Sequence, residues 1–130
     1  AAMYESLRAG RNLAVEEVPS LADSLGGGLG ADNRLTLPLC RDLIDGTVLV
    51  TEAEIYRAMQ CHYYEDRIVC EGGSAVGAAA LLAGKLSDLK GPAATIITGR
   101  NLDMKMHADI MAGRSVRLGD ITVEGQTYNA

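Results

Sequence analysis

The stretch AATIITGRNLD, residues 93–103, decides the fold that we predict for this chain of 130 residues. Small and strand-prone residues run up to Thr98-Gly99, and a helical pattern opens at Leu102. This order predicts a buried strand whose carboxyl end passes through a glycine loop into a helix. Ligands of open α/β sheets bind just beyond the carboxyl ends of such strands. We therefore expect a binding site at this loop.

A second copy of the same layout lies upstream. Residues 67–71 form the predicted strand, Gly72-Gly73-Ser74 the loop, and the small-residue stretch 75–86 the helix. Parallel strands place their carboxyl ends at one edge of a sheet, so Glu71 and Thr98 are expected to occupy matching positions there.

The remaining pattern predicts an α/β fold with a largely parallel sheet, because strands alternate with helices across residues 45–112. Thr51 and Glu54 have the spacing of a capping box at the start of a helix that runs to about Tyr64. The other predicted elements are helices at 2–9, 38–44 and 104–112, short strands at 13–18 and 47–50, and a turn-rich tail at 113–130.

Composition excludes several classes of function. Asp and Glu outnumber Lys and Arg by 17 to 12, and the net charge of −5 argues against nucleic acid as a partner. No run of eighteen apolar residues predicts a membrane span. The three cysteines have no regular spacing, which favours reduced thiols and a cytoplasmic protein. His62 and His107 lack the spacing of metal ligands, so we expect no metal, and Cys70 is expected in the core.

Three features of the sequence leave alternatives open. Glu71 precedes a helix start, where its carboxylate either approaches backbone amides at a binding site or simply caps the helix. Thr98 either donates a hydrogen bond to a ligand or serves as a turn residue. The glycine run 26–30 either cradles a phosphate or acts as a mobile connector.

Five short blocks follow one another along the chain: Ser20–Ser24, Leu39–Asp45, Val50–Ile55, Glu71–Ala75 and Ile97–Asp103. Their order and spacing closely resemble the C-terminal part of the serine/threonine dehydratase family, over roughly residues 17–104. The resemblance implies a three-layer α/β/α fold with a mostly parallel sheet, the pyridoxal-phosphate fold type II of the tryptophan synthase β-subunit. It also implies pyridoxal 5'-phosphate as cofactor, an amino-acid substrate and a homodimer.

The resemblance assigns roles to individual residues. Thr98 matches a serine of the family's Ser-Gly-Gly-Asn block, whose hydroxyl meets the pyridine nitrogen of the cofactor, and Gly99 follows it in that block. Glu71 matches a glutamate beside the cofactor, and Ser24 matches a glycine whose backbone passes the ring. Arg100 replaces the second glycine of the block and is expected at the rim of the substrate pocket.

The Schiff-base lysine of the family belongs to a Ser-x-Lys block that these residues lack. Lys85, Lys90 and Lys105 lie in other contexts. Residues 1–130 are therefore expected to be the C-terminal portion of the large cofactor-binding domain, without the N-terminal half and inactive alone. The implied reaction is elimination of water from serine, threonine or a hydroxyectoine-derived analogue, after which hydrolysis of the enamine gives a 2-oxo acid and ammonia. The sequence is closest in appearance to the dehydratases of hydroxyectoine utilisation. A non-catalytic binding or regulatory module and a racemase or synthase of the same fold remain as alternatives.

Overall fold

The computed structural model describes residues 1–129, which contain five α-helices, one 3₁₀ turn at Asp23–Leu25 and one β-hairpin. The helices and strands are α1 Ala2–Ala9, α2 Thr36–Leu43, α3 Glu52–Tyr64, α4 Gly72–Leu82, α5 Met104–Met111, β1 Val116–Leu118 and β2 Ile121–Val123. The chain divides into two compact units. Residues 1–18 and 26–49 form the first, and residues 19–25 together with those from Val50 onward form the second.

The first unit contains α1 and α2. Gly10 ends α1 in the left-handed region, at φ +67°, as predicted, because only glycine adopts that conformation without a Cβ penalty. Helix α2 begins two residues earlier than predicted, so Pro38 is its third residue. The proline is still in the first turn, where an amide has no intrahelical acceptor. Asn33 Oδ1 accepts the Leu37 N–H at 2.8 Å.

In the second unit, α3 begins at the predicted capping box. Thr51 Oγ1 accepts the Glu54 N–H at 3.3 Å, and Glu54 Oε2 accepts the Thr51 N–H at 2.6 Å. A hydrogen bond from Lys85 holds the pKa of Glu54 below its usual value. Helix α3 packs along α4, where Ala75 and Ala79 are fully buried. Small residues on α4 thus permit close helix packing.

Two buried polar side chains of α3 attach α5 to this pair. The Tyr56 hydroxyl lies 3.0 Å from the carbonyl oxygen of Ile110 and 2.9 Å from that of Arg114. The Gln60 amide donates to Ile110 and Gln126 carbonyls at 2.9 and 2.7 Å. These bonds supply donors to the Ile110 carbonyl in the last turn of α5 and to the Arg114 and Gln126 carbonyls beyond the helix.

The predicted strands 13–18, 47–50, 67–71 and 93–97 do not form ladders within residues 1–129. A strand is stabilised by hydrogen bonds to the amides and carbonyls of a neighbouring strand, and these four segments have no such neighbour in the described residues. The prediction that 93–97 is buried is wrong for this part of the chain, since Ile96 is 81% exposed. The pairing observed in this part is antiparallel, between β1 and β2, with Val116 opposite Val123. This hairpin lies in the segment predicted as a tail.

Helices α1, α3 and α5 match their predicted bounds to within one residue. No helix in the described part of the chain has both the length and the apolar content needed to cross a membrane.

Candidate functional site

A cavity of about 620 Å³ lies in the second unit. The 19–24 segment, the N-terminal ends of α4 and α5, and the β-hairpin enclose it. Much of its polar lining comes from Ser20, Asp23, Ser24, Glu71, Asn101 and Arg117. Its size matches the usual range for small-molecule pockets.

Helix α4 begins at Gly72, three residues before the predicted start, and the two glycines of the predicted loop are its first turn. A Cβ on Gly72 would overlap the carbonyl of Leu21, and one on Gly73 would overlap the Ser24 hydroxyl oxygen. The helix start and the 21–25 backbone therefore approach each other more closely than any other residue type would allow.

The Glu71 carboxylate binds a neighbouring loop rather than its own helix. Glu71 is the N-cap residue of α4 but makes no side-chain cap bond there. Its Oε2 accepts the Asn101 N–H at 3.1 Å, and its own N–H donates to the Gly99 carbonyl at 3.1 Å. The simple helix-cap alternative for Glu71 is therefore wrong, and the residue connects the two predicted loops.

Ser74 makes the second connection between these loops. Its side chain is buried, with 1% exposed, and its Oγ accepts the Gly99 N–H at 2.8 Å. The same oxygen lies 3.0 Å from the Gly99 carbonyl oxygen and 3.0 Å from Thr98 Oγ1. Sequence reasoning did not select Ser74 as a site residue. The available signal was a single hydroxyl among the glycines and alanines that begin α4.

The sequence-predicted site residues occupy three kinds of position. Ser24 and Glu71 line the cavity. Thr98 and Gly99 lie outside the lining and are joined to α4 through hydrogen bonds to Ser74 and Glu71. Arg100 is exposed and also lies outside the lining.

Sequence reasoning also missed groups that the fold supplies to the cavity. Asp103 caps α5 by accepting the Lys105 and Met106 amides at 2.7 and 3.2 Å, and an acid before a helical pattern was a usable signal. Arg117 comes from the hairpin, and no local motif indicated it.

Burial keeps two titratable groups near the cavity neutral. Burial lowers the pKa of His107, which favours the uncharged imidazole. Burial, with a smaller contribution from the Glu71 charge, raises the pKa of the Cys70 thiol to about 11. Cys70 is 1% exposed, so the prediction that it belongs to the core is confirmed. Among residues 1–129, no group of three or more His, Cys, Asp or Glu is arranged to hold a metal ion.

Comparison with known proteins identifies similar chains. A family model described as "Pyridoxal-phosphate dependent enzyme" matches residues 1–99. A putative threonine dehydratase of Sinorhizobium fredii is 44% identical over 113 residues, which are 87% of this chain and 34% of that protein. An L-threonine ammonia-lyase of Thermotoga maritima is 41% identical over 105 residues, 80% of this chain and 25% of that protein.

A solved structure, the serine racemase of Dictyostelium discoideum, matches with a TM-score of 0.66 at 34% identity, covering 78% of this chain and 32% of that one. The chain thus spans about a third of the length of such relatives or less. These matches confirm the resemblance to the threonine dehydratases, the fold type and the family's dependence on pyridoxal phosphate.

Replacing Gly99 with alanine tests whether the Glu71 carboxylate is held in place. An added Cβ would lie 3.0–3.3 Å from the carboxylate atoms, so the carboxylate must move away from the Asn101 N–H. We expect Gly99→Ala to lower the free energy of unfolding in urea by about 1 kcal/mol. In a Glu71→Ala background the same change should cost less.

Gly46→Ala is the matched control, because an added Cβ there meets nothing within 4 Å. Its effect should stay within about 0.5 kcal/mol. Equal effects of Gly99→Ala in the presence and absence of the Glu71 side chain would contradict the contact.

Proposed function

Because this chain belongs to the pyridoxal-phosphate-dependent enzyme family, we propose that it forms one wall of the active site of an ammonia-lyase. The enzyme eliminates water from a β-hydroxy amino acid, and hydrolysis of the resulting enamine then releases a 2-oxo acid and ammonia. The observation that carries this proposal is the Thr98 hydroxyl, which is hydrogen-bonded to the Ser74 hydroxyl beside the Glu71 loop. The names of the relatives, threonine dehydratase and L-threonine ammonia-lyase, support the reaction class.

The residues that line the cavity, together with Thr98 in the adjoining loop, fit pyridoxal phosphate. Ser24 and Glu71 line the cavity, and the Thr98 hydroxyl lies beside it, hydrogen-bonded to Ser74 at the start of α4. Thr98 provides a neutral hydroxyl suited to an aromatic nitrogen. When bound, the cofactor supplies an electron sink for the electron pair left on the substrate's α-carbon.

Four residues of this chain have separate roles in the proposed site. Thr98 would hydrogen-bond the pyridine nitrogen and, as a neutral group, would leave it unprotonated. Glu71 holds the 98–101 loop against α4 through the Asn101 amide. Ser24 would lie beside the cofactor ring, and Gly99 lets the 98–101 loop approach the Glu71 carboxylate without a side chain. A weak electron sink suits elimination, since the leaving group removes the charge at once.

We propose that the Schiff-base lysine comes from a part of the enzyme outside these residues, and that residues 1–130 are the C-terminal portion of its large cofactor-binding domain. Two facts support this. The chain spans about a third of the length of its relatives, and the cavity lining in the described residues contains no lysine. The further proposals are a homodimer and a cytoplasmic location, the latter supported by three free cysteines.

The reaction is tested with the full-length enzyme loaded with pyridoxal phosphate and supplied with L-threonine or L-serine. We expect 2-oxobutanoate or pyruvate together with ammonia in equal amounts. The similarity to a solved serine racemase favours a second candidate, racemisation of serine. Formation of D-serine without 2-oxo acid would replace the first proposal with the second.

Replacing Thr98 with valine tests its place at the cofactor. The two side chains are nearly isosteric, so we expect an unchanged fold and a turnover reduced about tenfold, because one hydrogen bond to the ring is lost. Circular dichroism and steady-state kinetics provide the measurement. Turnover equal to that of the unmodified enzyme would remove Thr98 from the cofactor.

Replacing Arg100 with glycine tests substrate choice. We propose that this exposed cation lies at the substrate rim and favours a hydroxyectoine-derived acid over threonine or serine. The Arg100→Gly enzyme should therefore lose kcat/KM for that acid more than for threonine, by about tenfold. Arg11, also exposed and in the first unit, offers a charge-matched control as Arg11→Gly. An unchanged ranking of substrates would contradict the assignment.

A further inference from the structure

Ser74 is hydrogen-bonded to Thr98, the residue that we propose contacts the cofactor. It is the third residue of α4, and its side chain is almost completely buried between Thr98 and Gly99. In this position a serine brings a buried hydroxyl into an otherwise apolar helix start. Such a group has a net cost unless its hydrogen bonds are made.

The hydrogen bonds around the Ser74 hydroxyl can be assigned one proton at a time. The Gly99 N–H donates to Ser74 Oγ at 2.8 Å, so the Ser74 proton must go elsewhere. Two acceptors lie at 3.0 Å, the Gly99 carbonyl and Thr98 Oγ1. The Gly99 carbonyl already accepts the Glu71 N–H at 3.1 Å. The Gly99 carbonyl therefore has a donor whether the Ser74 proton points to it or to Thr98, so the Ser74 proton is able to turn to Thr98 when an external acceptor takes the Thr98 proton.

This direction of donation determines what Thr98 can do. When Thr98 Oγ1 accepts from Ser74, its own proton is free to point away from the helix towards an external acceptor. A hydroxyl that accepts one hydrogen bond is polarised into a better donor. The order is then Gly99 N–H to Ser74, Ser74 to Thr98, and Thr98 to the ligand.

We propose that Ser74 is a positioning residue that fixes the Thr98 hydroxyl and directs its proton to the pyridine nitrogen of the cofactor. This inference rests on the proposed function, in which Thr98 meets that nitrogen. Ser74 itself does not touch the cofactor. It acts through Thr98, and it accounts for a polar residue at the buried start of α4.

The test uses the full-length enzyme loaded with pyridoxal phosphate labelled with ¹⁵N at the ring nitrogen. Loss of a hydrogen bond to a pyridine nitrogen moves its resonance downfield. We expect Ser74→Ala to move it in the same direction as Thr98→Val but less far. The kcat should fall about three- to tenfold, with little change in KM, because one hydrogen bond in the relay is lost. Ser74→Cys, which retains a weak donor, should give an intermediate shift.

Ser6→Ala is the matched control. Ser6 is fully buried in the first unit and accepts a single backbone hydrogen bond, from Leu13 N–H at 3.0 Å. Ser6→Ala should lower the stability of the fold as Ser74→Ala does, and the ¹⁵N resonance of the ring nitrogen should not move.

The outcomes separate this inference from the proposed function. A resonance that moves in Thr98→Val and stays fixed in Ser74→Ala overturns the role of Ser74 and leaves the function standing. A resonance fixed in both variants overturns both the relay and the Thr98 contact. Failure of the unmodified enzyme to take up pyridoxal phosphate overturns the proposed function, and the inference with it.

Discussion

The absence of side chains at Gly72 and Gly73 is the constraint on which the site depends. The Leu21 carbonyl and the Ser24 hydroxyl occupy the positions that two Cβ atoms would take. Each glycine in a helix costs about 1 kcal/mol relative to alanine. At Gly72 the opposing atoms are backbone and cannot rotate away, so overlap would cost more than the glycine does. The close approach of the Leu21 carbonyl therefore determines the residue type at Gly72 more strongly than helix propensity does.

Two side chains at the start of α4 then hold the 98–101 loop. Ser74 and the Glu71 backbone satisfy both the amide and the carbonyl of Gly99, and the Glu71 carboxylate takes the Asn101 amide. These backbone groups would otherwise need a strand neighbour or water. The loop thus keeps a defined position although the 93–97 segment before it has no ladder in the described residues.

Elements with local signals were predictable, and elements that depend on distant contacts were not. The α3 capping box and the left-handed Gly10 are each determined by a few adjacent residues, so these boundaries matched. The start of α4 and the exposure of Ile96 depend on what packs against them. The pairing of the Glu71 and Thr98 loops followed from their repeated layout. The direction of the Ser74 side chain did not, because it depends on tertiary packing.

The hydrogen bonds of Glu71 and Thr98 bear on how the proposed site would contain a carboxylate and still present a neutral group to an aromatic nitrogen. Glu71 Oε2 is bound to the Asn101 amide, while Thr98 is hydrogen-bonded to Ser74. A carboxylate hydrogen-bonded to the ring nitrogen would stabilise its protonated form and strengthen the electron sink. A hydroxyl is too weak an acid or base to do so. The fold keeps the carboxylate on a backbone amide and places the Ser74 hydroxyl behind that of Thr98, an arrangement consistent with the mild electron sink of the proposed elimination, in which a leaving group departs from the adjacent carbon.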